Sequence, residues 1–222
     1  MKYVALGDCN TEGDPNNFNN AYPERFAKEM GWSVINFGHT MSTTREGLQY
    51  FKRQETQDAD ILSIQFGIVD SWVTFKGAPF VLYYPDTKWR KFLRKIVKKI
   101  KKYGRKLNFH SLFGTRNVVE LDEYIHNIQY IIENSKARII YLVEIYPNLD
   151  VSREPNILKY NQALKQICDH KRVFFVPVFD QLKPNPQGEN FDDTTHLSSI
   201  GHEIVKNQMM AVTTNAGIRS IL

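Results

Sequence analysis

The chain has 222 residues, 42% of them hydrophobic, with 29 Lys or Arg against 24 Asp or Glu. That is the size and composition of one α/β domain with a full core, and no apolar run approaches the ~18 residues that a membrane-spanning helix needs. Its two cysteines, Cys9 and Cys168, are too few for a disulfide framework and lack Cys or His neighbours at zinc-ligand spacing, so no metal or other cofactor is expected.

The run Tyr3-Val4-Ala5-Leu6 is short, apolar and followed by a breaker, which predicts a first strand ending at Gly7. A strand starting near residue 2 leaves no room for a signal peptide, and the expected location is the cytoplasm. Cys9 then stands just past a strand end, where α/β proteins put their chemistry. Helical patterns follow at about 22–30 and 44–57, interleaved with β-rich runs at 33–37 and 60–66. After a long connection come a helix at 119–134, a strand at 138–145, a helix at 157–170, a strand at 172–178 and a last helix from 199 to about 215. Cys168 falls in a helical stretch and reads as a buried small apolar residue. Near-continuous apolar strands alternating with helices predict a parallel, doubly wound sheet of three layers with its ligand crevice outside the carboxyl ends of the strands.

The connection at 71–118 is too long to be a plain loop and is expected to form an inserted helical cap on a single domain spanning 1–222. Between Thr87 and Lys106 it carries eleven Lys or Arg and no acid, so the remainder of the chain is net −6. Trp89, Phe92, Leu93, Ile96, Val97, Ile100 and Tyr103 recur there at spacings of three and four, which predicts an amphipathic helix with Gly104 near its end. Such a stripe usually packs on its own domain or on a second subunit. A cation-rich face also attracts anions: a phosphate- or uronate-bearing glycan, an acyl carrier or an anionic membrane surface. Nucleic acid is not expected, because no binding motif accompanies the charge. Trp72, Phe75, Phe80, Tyr83, Tyr84 and Trp89 give the cap an aromatic content on which sugar rings could stack.

The strand ends deliver Gly7-Asp8-Cys9, then Asn36-Phe37-Gly38-His39, then Gly67-Ile68-Val69-Asp70, with Asp193-Thr194-Thr195-His196 ahead of the last helix. In these four blocks, taken in order, the chain resembles the SGNH (GDSL-type) hydrolases from about residue 2 to residue 212. The resemblance implies a flavodoxin-like five-stranded parallel sheet and an acyl hydrolase or acyltransferase, with Cys9 in the slot of the nucleophilic serine, His196 as base and Asp193 as its orienter. It implies an oxyanion hole from the backbone N–H groups of Cys9 and Gly38, with Asp8, Gly67 and Asp70 supporting the motifs. Val69 occupies the position of the family's oxyanion asparagine and cannot donate, which leaves Asn10 or a cap residue as a substitute donor. The family's range and the cap's aromatics suggest an O-acyl group on a carbohydrate or surface-polysaccharide precursor as substrate.

The thiol chemistry stands without the family. A cysteine beside an imidazole is expected to shift toward thiolate and to attack an acyl carbon, giving a thioester that passes its acyl group to water, a hydroxyl or an amine. Asp193, three residues before His196, can fix the tautomer of the ring. The competing reading is a pocket that has lost catalysis and binds or scaffolds glycans. His39 and His202 lack such partners and are expected at the surface or as caps.

Overall fold

The computed structural model describes residues 1–183 and 189–218. The chain begins with β1 (Lys2–Gly7), α1 (Cys9–Glu12), α2 (Tyr22–Met30), β2 (Ser33–Gly38), α3 (Thr44–Phe51), α4 (Gln54–Gln57) and β3 (Ile61–Gln65). It then leaves the sheet through β4 (Val73–Phe75), α5 (Lys88–Lys106), α6 (Phe109–Phe113) and β5 (Thr115–Asn117). It returns as α7 (Leu121–Asn134), β6 (Ile139–Val143), α8 (Glu154–Gln166), β7 (Val173–Val176), α9 (Phe179–Leu182) and α10 (Ser199–Asn215). Five strands form one sheet in the order β2-β1-β3-β6-β7, every pair parallel. This is the doubly wound α/β arrangement, in which the strand order reverses beside β1 and a crevice opens at the strand carboxyl ends.

The strands are apolar on both faces because both faces are covered. Val4, Leu6, Ile61, Leu62, Ile139, Ile140 and Leu142 are all buried within one continuous core. Tyr3, Tyr22, Tyr124, Tyr141 and Tyr160 are fully buried as well. All five hydroxyls find partners: Tyr3 with Ser63, Tyr22 with Thr11, Tyr124 with the Phe66 carbonyl, Tyr141 with Thr213 and Tyr160 with the Val119 carbonyl. Satisfying the hydroxyl is what makes burial of a tyrosine tolerable.

Three details differ from expectation. The 44–57 helix is two helices, because Lys52 and Arg53 leave helical pairing between α3 and α4. Gly104 lies inside α5 and is buried; a Cβ there would sit 2.6 Å from a Phe75 ring carbon, so the missing side chain lets the helix approach β4. The apolar stripe of α5 does not pack on the domain: Trp89, Phe92, Ile96, Ile100 and Tyr103 are all exposed. Its inward contacts are made instead by Gly104 and the partly buried Leu93, Val97, Arg94 and Lys101. The small β4–β5 pair is antiparallel, with Phe75 opposite Thr115, and forms the base of this excursion.

Candidate active site

The site begins where β1 turns into α1. At Gly7 a Cβ would lie 1.9 Å from Thr11 Oγ1 and 2.7 Å from the Gln65 carbonyl, so only glycine lets α1 fold back onto the strand ends. Asp8 caps the helix, its Oδ1 accepting the Asn10 N–H at 2.9 Å, and Cys9 is the first helical residue. Gly13, at φ 85°, terminates it with a left-handed C-cap.

The second wall is the turn before α10. Asp193 Oδ2 meets His196 Nδ1 at 2.7 Å, while Asp193 Oδ1 accepts the N–H groups of Thr195 at 2.7 Å and His196 at 2.8 Å. One carboxylate thus fixes both the backbone and the ring of the histidine. Burial raises the Asp193 pKa, but these bonds outweigh it and hold the group below the ordinary carboxylate range. The turn is fastened to α1 by Asn10: its Nδ2 donates to the Thr195 carbonyl at 3.1 Å and its Oδ1 accepts the Leu197 N–H at 2.8 Å. The residues on either side of His196 are therefore bound to the side chain next to Cys9. That task uses the Asn10 carbonyl oxygen and one of the two N–H bonds of its amide nitrogen.

The third wall is the loop from β2 to α3. Gly38 was expected to offer its N–H, but that group donates to Asn36 Oδ1 at 2.7 Å. The glycine is required for a steric reason, since a Cβ would fall 2.1 Å from the Glu12 nitrogen of α1. The backbone N–H groups of Asn10 and Met41 act to lower the Cys9 thiol pKa, against the larger opposing effects of burial and of Asp8 and Asp14. Met41 holds φ at 60°, a conformation ordinarily left to glycine, and such a residue persists only where its surroundings fix it. Here Thr43 and Glu46 form a capping box at the start of α3. Asp70 Oδ1 accepts both the N–H of Thr44 at 2.9 Å and its hydroxyl at 2.7 Å. Glu46 Oε1 also accepts the Tyr83 N–H at 2.6 Å, tying the cap to the same loop. Gly67, at φ 138°, gives Ile145 room, since a Cβ there would come within 2.2 Å of it. Val69 is buried and forms apolar wall.

A cavity of about 430 Å³ opens beside this loop, bounded by Met41, Val69 and Trp72 at one side and by Arg94, Lys98, Lys101, Lys102 and Arg105 of α5 at the other. No acidic side chain lines it. Burial first, then the charges of Arg116, Arg105 and Arg45, lowers the Lys101 pKa, as expected where cations crowd without a counter-charge. Among the aromatics, Trp72, Phe75, Phe80 and Tyr83 line the cavity, but Trp89 lies outside it and Tyr84 stacks on Tyr50. Cations already cover several of these rings: Arg94 over Tyr83, Arg45 over Phe80 and Arg153 over Trp72. Open stacking platforms for sugar rings are correspondingly fewer than the composition suggests.

The thiol departs most from expectation. Cys9 is 4% exposed, and burial, followed by the charges of Asp8 and Asp14, raises its pKa well above the usual thiol value. Burial thus pushes the group toward the neutral thiol, against the shift toward thiolate expected from pairing with an imidazole. Asp8 is itself pushed up to about 7 by burial, against the opposing pull of the Asn10 N–H. Cys168 is half-buried, raised to about 12 by burial, and its thiol faces the Leu164 carbonyl at 3.7 Å. His39 meets the Thr40 carbonyl at 3.0 Å and the edge of Tyr84. His202 is not at the surface: it is fully buried, accepts the Tyr22 N–H at the start of α2, and has its pKa lowered by burial to about 3. Among the described residues no group of three His, Cys, Asp or Glu is placed to hold a metal ion.

The functions of Asn10 and Met41 were not legible beforehand. Thr43-x-x-Glu46 is a capping-box spacing and was available as a signal, but nothing in the sequence marks a methionine for the left-handed region.

Comparison with known proteins bears on all of this. The model of the GDSL-like Lipase/Acylhydrolase family matches residues 5–204. Among solved structures, a catalytic mutant of an acetylxylan esterase from Geobacillus stearothermophilus superposes with a TM-score of 0.63 at 19% identity, over 95% of this chain and 93% of that one. A lipase/acylhydrolase from Enterococcus faecalis gives 0.62 at 18% identity, over 98% and 96%. A putative lipolytic protein of the G-D-S-L family from Desulfitobacterium hafniense gives 0.62 at 13%, over 95% and 98%. These structural likenesses carry the fold. No curated protein matches the chain in sequence.

Proposed function

This chain belongs to the GDSL-like lipase/acylhydrolase family, and on that premise we propose that it is an esterase whose nucleophile is the thiol of Cys9, with His196 as base and Asp193 as the group that orients it. The carrying observation is the 2.7 Å contact of His196 with Asp193 on a turn that Asn10, next to Cys9, grips on both sides of the histidine.

Because the thiol is neutral at rest, attack is of the general-base kind. The sulfur adds to the acyl carbon as its proton passes to His196, and the tetrahedral oxyanion takes hydrogen bonds from the backbone N–H groups of Cys9 and Met41. Cys9 is the first residue of its helix, where an N–H has no intrahelical acceptor. Collapse breaks the carbon–oxygen bond, and the alkoxide leaves with the proton from His196. Water then attacks the thioester, giving its proton to His196 and releasing the carboxylic acid as the sulfur regains a proton. A hydroxyl acceptor in place of water would make the same intermediate a transfer reaction. Val69 supplies no third donor, and the loss of one such donor typically costs about 10²–10³ in rate.

The cavity is not lined by Cys9 or His196, and its cations support a part in holding the sugar of an anionic substrate, an O-acyl ester of a carbohydrate that carries a carboxylate or phosphate, with the charge toward Arg105 and Lys98. The acetylxylan esterase among the structural neighbours supports the carbohydrate part of this reading. A second reading, a binding protein that retains the pocket without turnover, is favoured by the protonated thiol and by Val69.

The test is release of acetate from acetylated neutral and acidic oligosaccharides. Cys9→Ala is expected to abolish release, His196→Ala to reduce it by about 10²-fold or more, and acidic substrates to show the lower KM. Turnover by Cys9→Ala equal to the parent would refute the nucleophile. Binding of the acidic sugar without turnover by the parent would establish the second reading.

A further inference from the structure

We infer that the outer face of α5 is a docking surface for an anionic lipid bilayer, on which the protein lies as a peripheral, interfacial protein. The inference concerns the opposite side of the helix from the cavity and does not depend on the proposed chemistry.

Trp89, Phe92, Ile96, Ile100 and Tyr103 stand at spacings of three and four and form one stripe, with Trp89 66% exposed and Tyr103 59% exposed. Past the helix Leu107, Leu112 and Phe113 are exposed as well. Half of the exposed large hydrophobics among the described residues thus fall within 25 successive positions. A patch this concentrated calls for a partner.

Charge selects which one. Lys88 and Lys95 flank Phe92, Lys99 lies between Ile96 and Tyr103, and Lys106 follows Tyr103, each at a spacing of three or four. These lysines therefore run as a line along one edge of the stripe, all exposed. Among the described residues none has a carboxylate within ion-pair distance, and no acid occurs from residue 87 to residue 119. A second copy of the chain would meet this face with the same uncompensated cations, so self-association is opposed. A lipid surface satisfies both halves at once: acyl chains take the stripe and headgroup phosphates take the lysines. Trp89 and Tyr103 suit the boundary between the two, being apolar rings with a polar handle. With eleven cations in the segment, the helix lies on such a surface and does not cross it.

The experiment pellets the full chain with vesicles of phosphatidylcholine alone or of equimolar phosphatidylcholine and phosphatidylglycerol. Binding is expected to the anionic vesicles only, weakened by added salt, with a blue shift of tryptophan emission that Trp89→Ser removes. Lys95→Gln and Lys99→Gln are expected to weaken binding roughly fivefold per lysine, and Phe92→Ser with Ile96→Ser to weaken it further. All these side chains are exposed, so circular dichroism is expected to match the parent. Failure to bind anionic vesicles overturns the inference, and so does retention on polyglutamate without vesicle binding or a dimer that shields Trp89. Unchanged vesicle affinity in the Phe92→Ser, Ile96→Ser variant does so too, since charge alone would then explain the attraction.

Discussion

Asn10 concentrates the local logic of the site, because its amide closes a loop of nearly the whole chain by bonding to Thr195 and Leu197. Asn10→Ala leaves a buried N–H and a carbonyl unpaired, at about 1–3 kcal/mol each for groups that stay dry. It also frees the turn that carries His196. The expected result is a kcat reduced by about 10-fold or more with KM less affected, and loss of kcat no larger than that of a distant surface variant would count against the positioning role. Cys9 invites a pH measurement. Its pKa is raised by burial and by Asp8 and Asp14, so the thiolate fraction is small at neutrality and grows only as pH rises. Alkylation by iodoacetamide is therefore expected to be slow at neutral pH and to accelerate through the alkaline range. A fast reaction already at its plateau near pH 7 would show that the thiolate is stabilised after all. That cysteine, histidine and aspartate are the residues to examine was legible from four short blocks. That the glycine of the second block serves packing was not. A donor's direction depends on which neighbours already occupy it, and Asn36 occupies Gly38.

At the scale of elements, α5 shows that a periodic pattern predicts a helix without predicting which side it buries. Its period and extent follow from the spacing of apolar residues, but which side faces the domain is decided by the partner surface of β4 and the loop at 80–84. Gly104 is the contact that seats it, with Phe75 and Phe109 against the place a Cβ would take. Gly104→Val is expected to prise the helix off that surface, at about 1–3 kcal/mol for overpacking. Because the excursion has its own small sheet, the effect is expected as faster tryptic cleavage within α5 at nearly unchanged global melting. Cleavage as slow as in the parent would mean that the contact is not close. Helices α2 and α10 were legible close to their observed bounds because capping signals bound them, Pro23 and Gly31 for one and Ser198 for the other. The short strands β4 and β5, three residues each, carry too little periodicity to be seen.

Across the whole molecule, two buried acids make stability depend on pH. Asp8 and Asp70 are each pushed up to about 7 by burial, which outweighs the hydrogen bonds they accept. In each, among the described residues, Oδ2 is buried without a hydrogen-bond partner while Oδ1 is bonded, so the ionised carboxylate is only half solvated. A carboxyl whose folded pKa lies above its unfolded value near 3.8 binds more protons when folded between those two values. Stability from these groups is thus present at low pH and declines as pH rises from about 4 to about 7, by up to roughly 1.4 kcal/mol per pH unit per group. Denaturant midpoints are expected to fall over that window, and Asp70→Asn to flatten the fall. A midpoint that rises steadily from pH 4 to pH 7 in the parent would contradict the shift. The parallel, doubly wound sheet was carried by the alternation of apolar strands with amphipathic helices, and the family by four short motif blocks taken in order. The burial that raises the Cys9 pKa, the occupation of the Gly38 N–H by Asn36 and the outward turn of the apolar stripe were decided by the tertiary structure. Each depends on desolvation or on competition for a hydrogen bond between segments remote in the chain, and neither quantity exists until those segments are packed together.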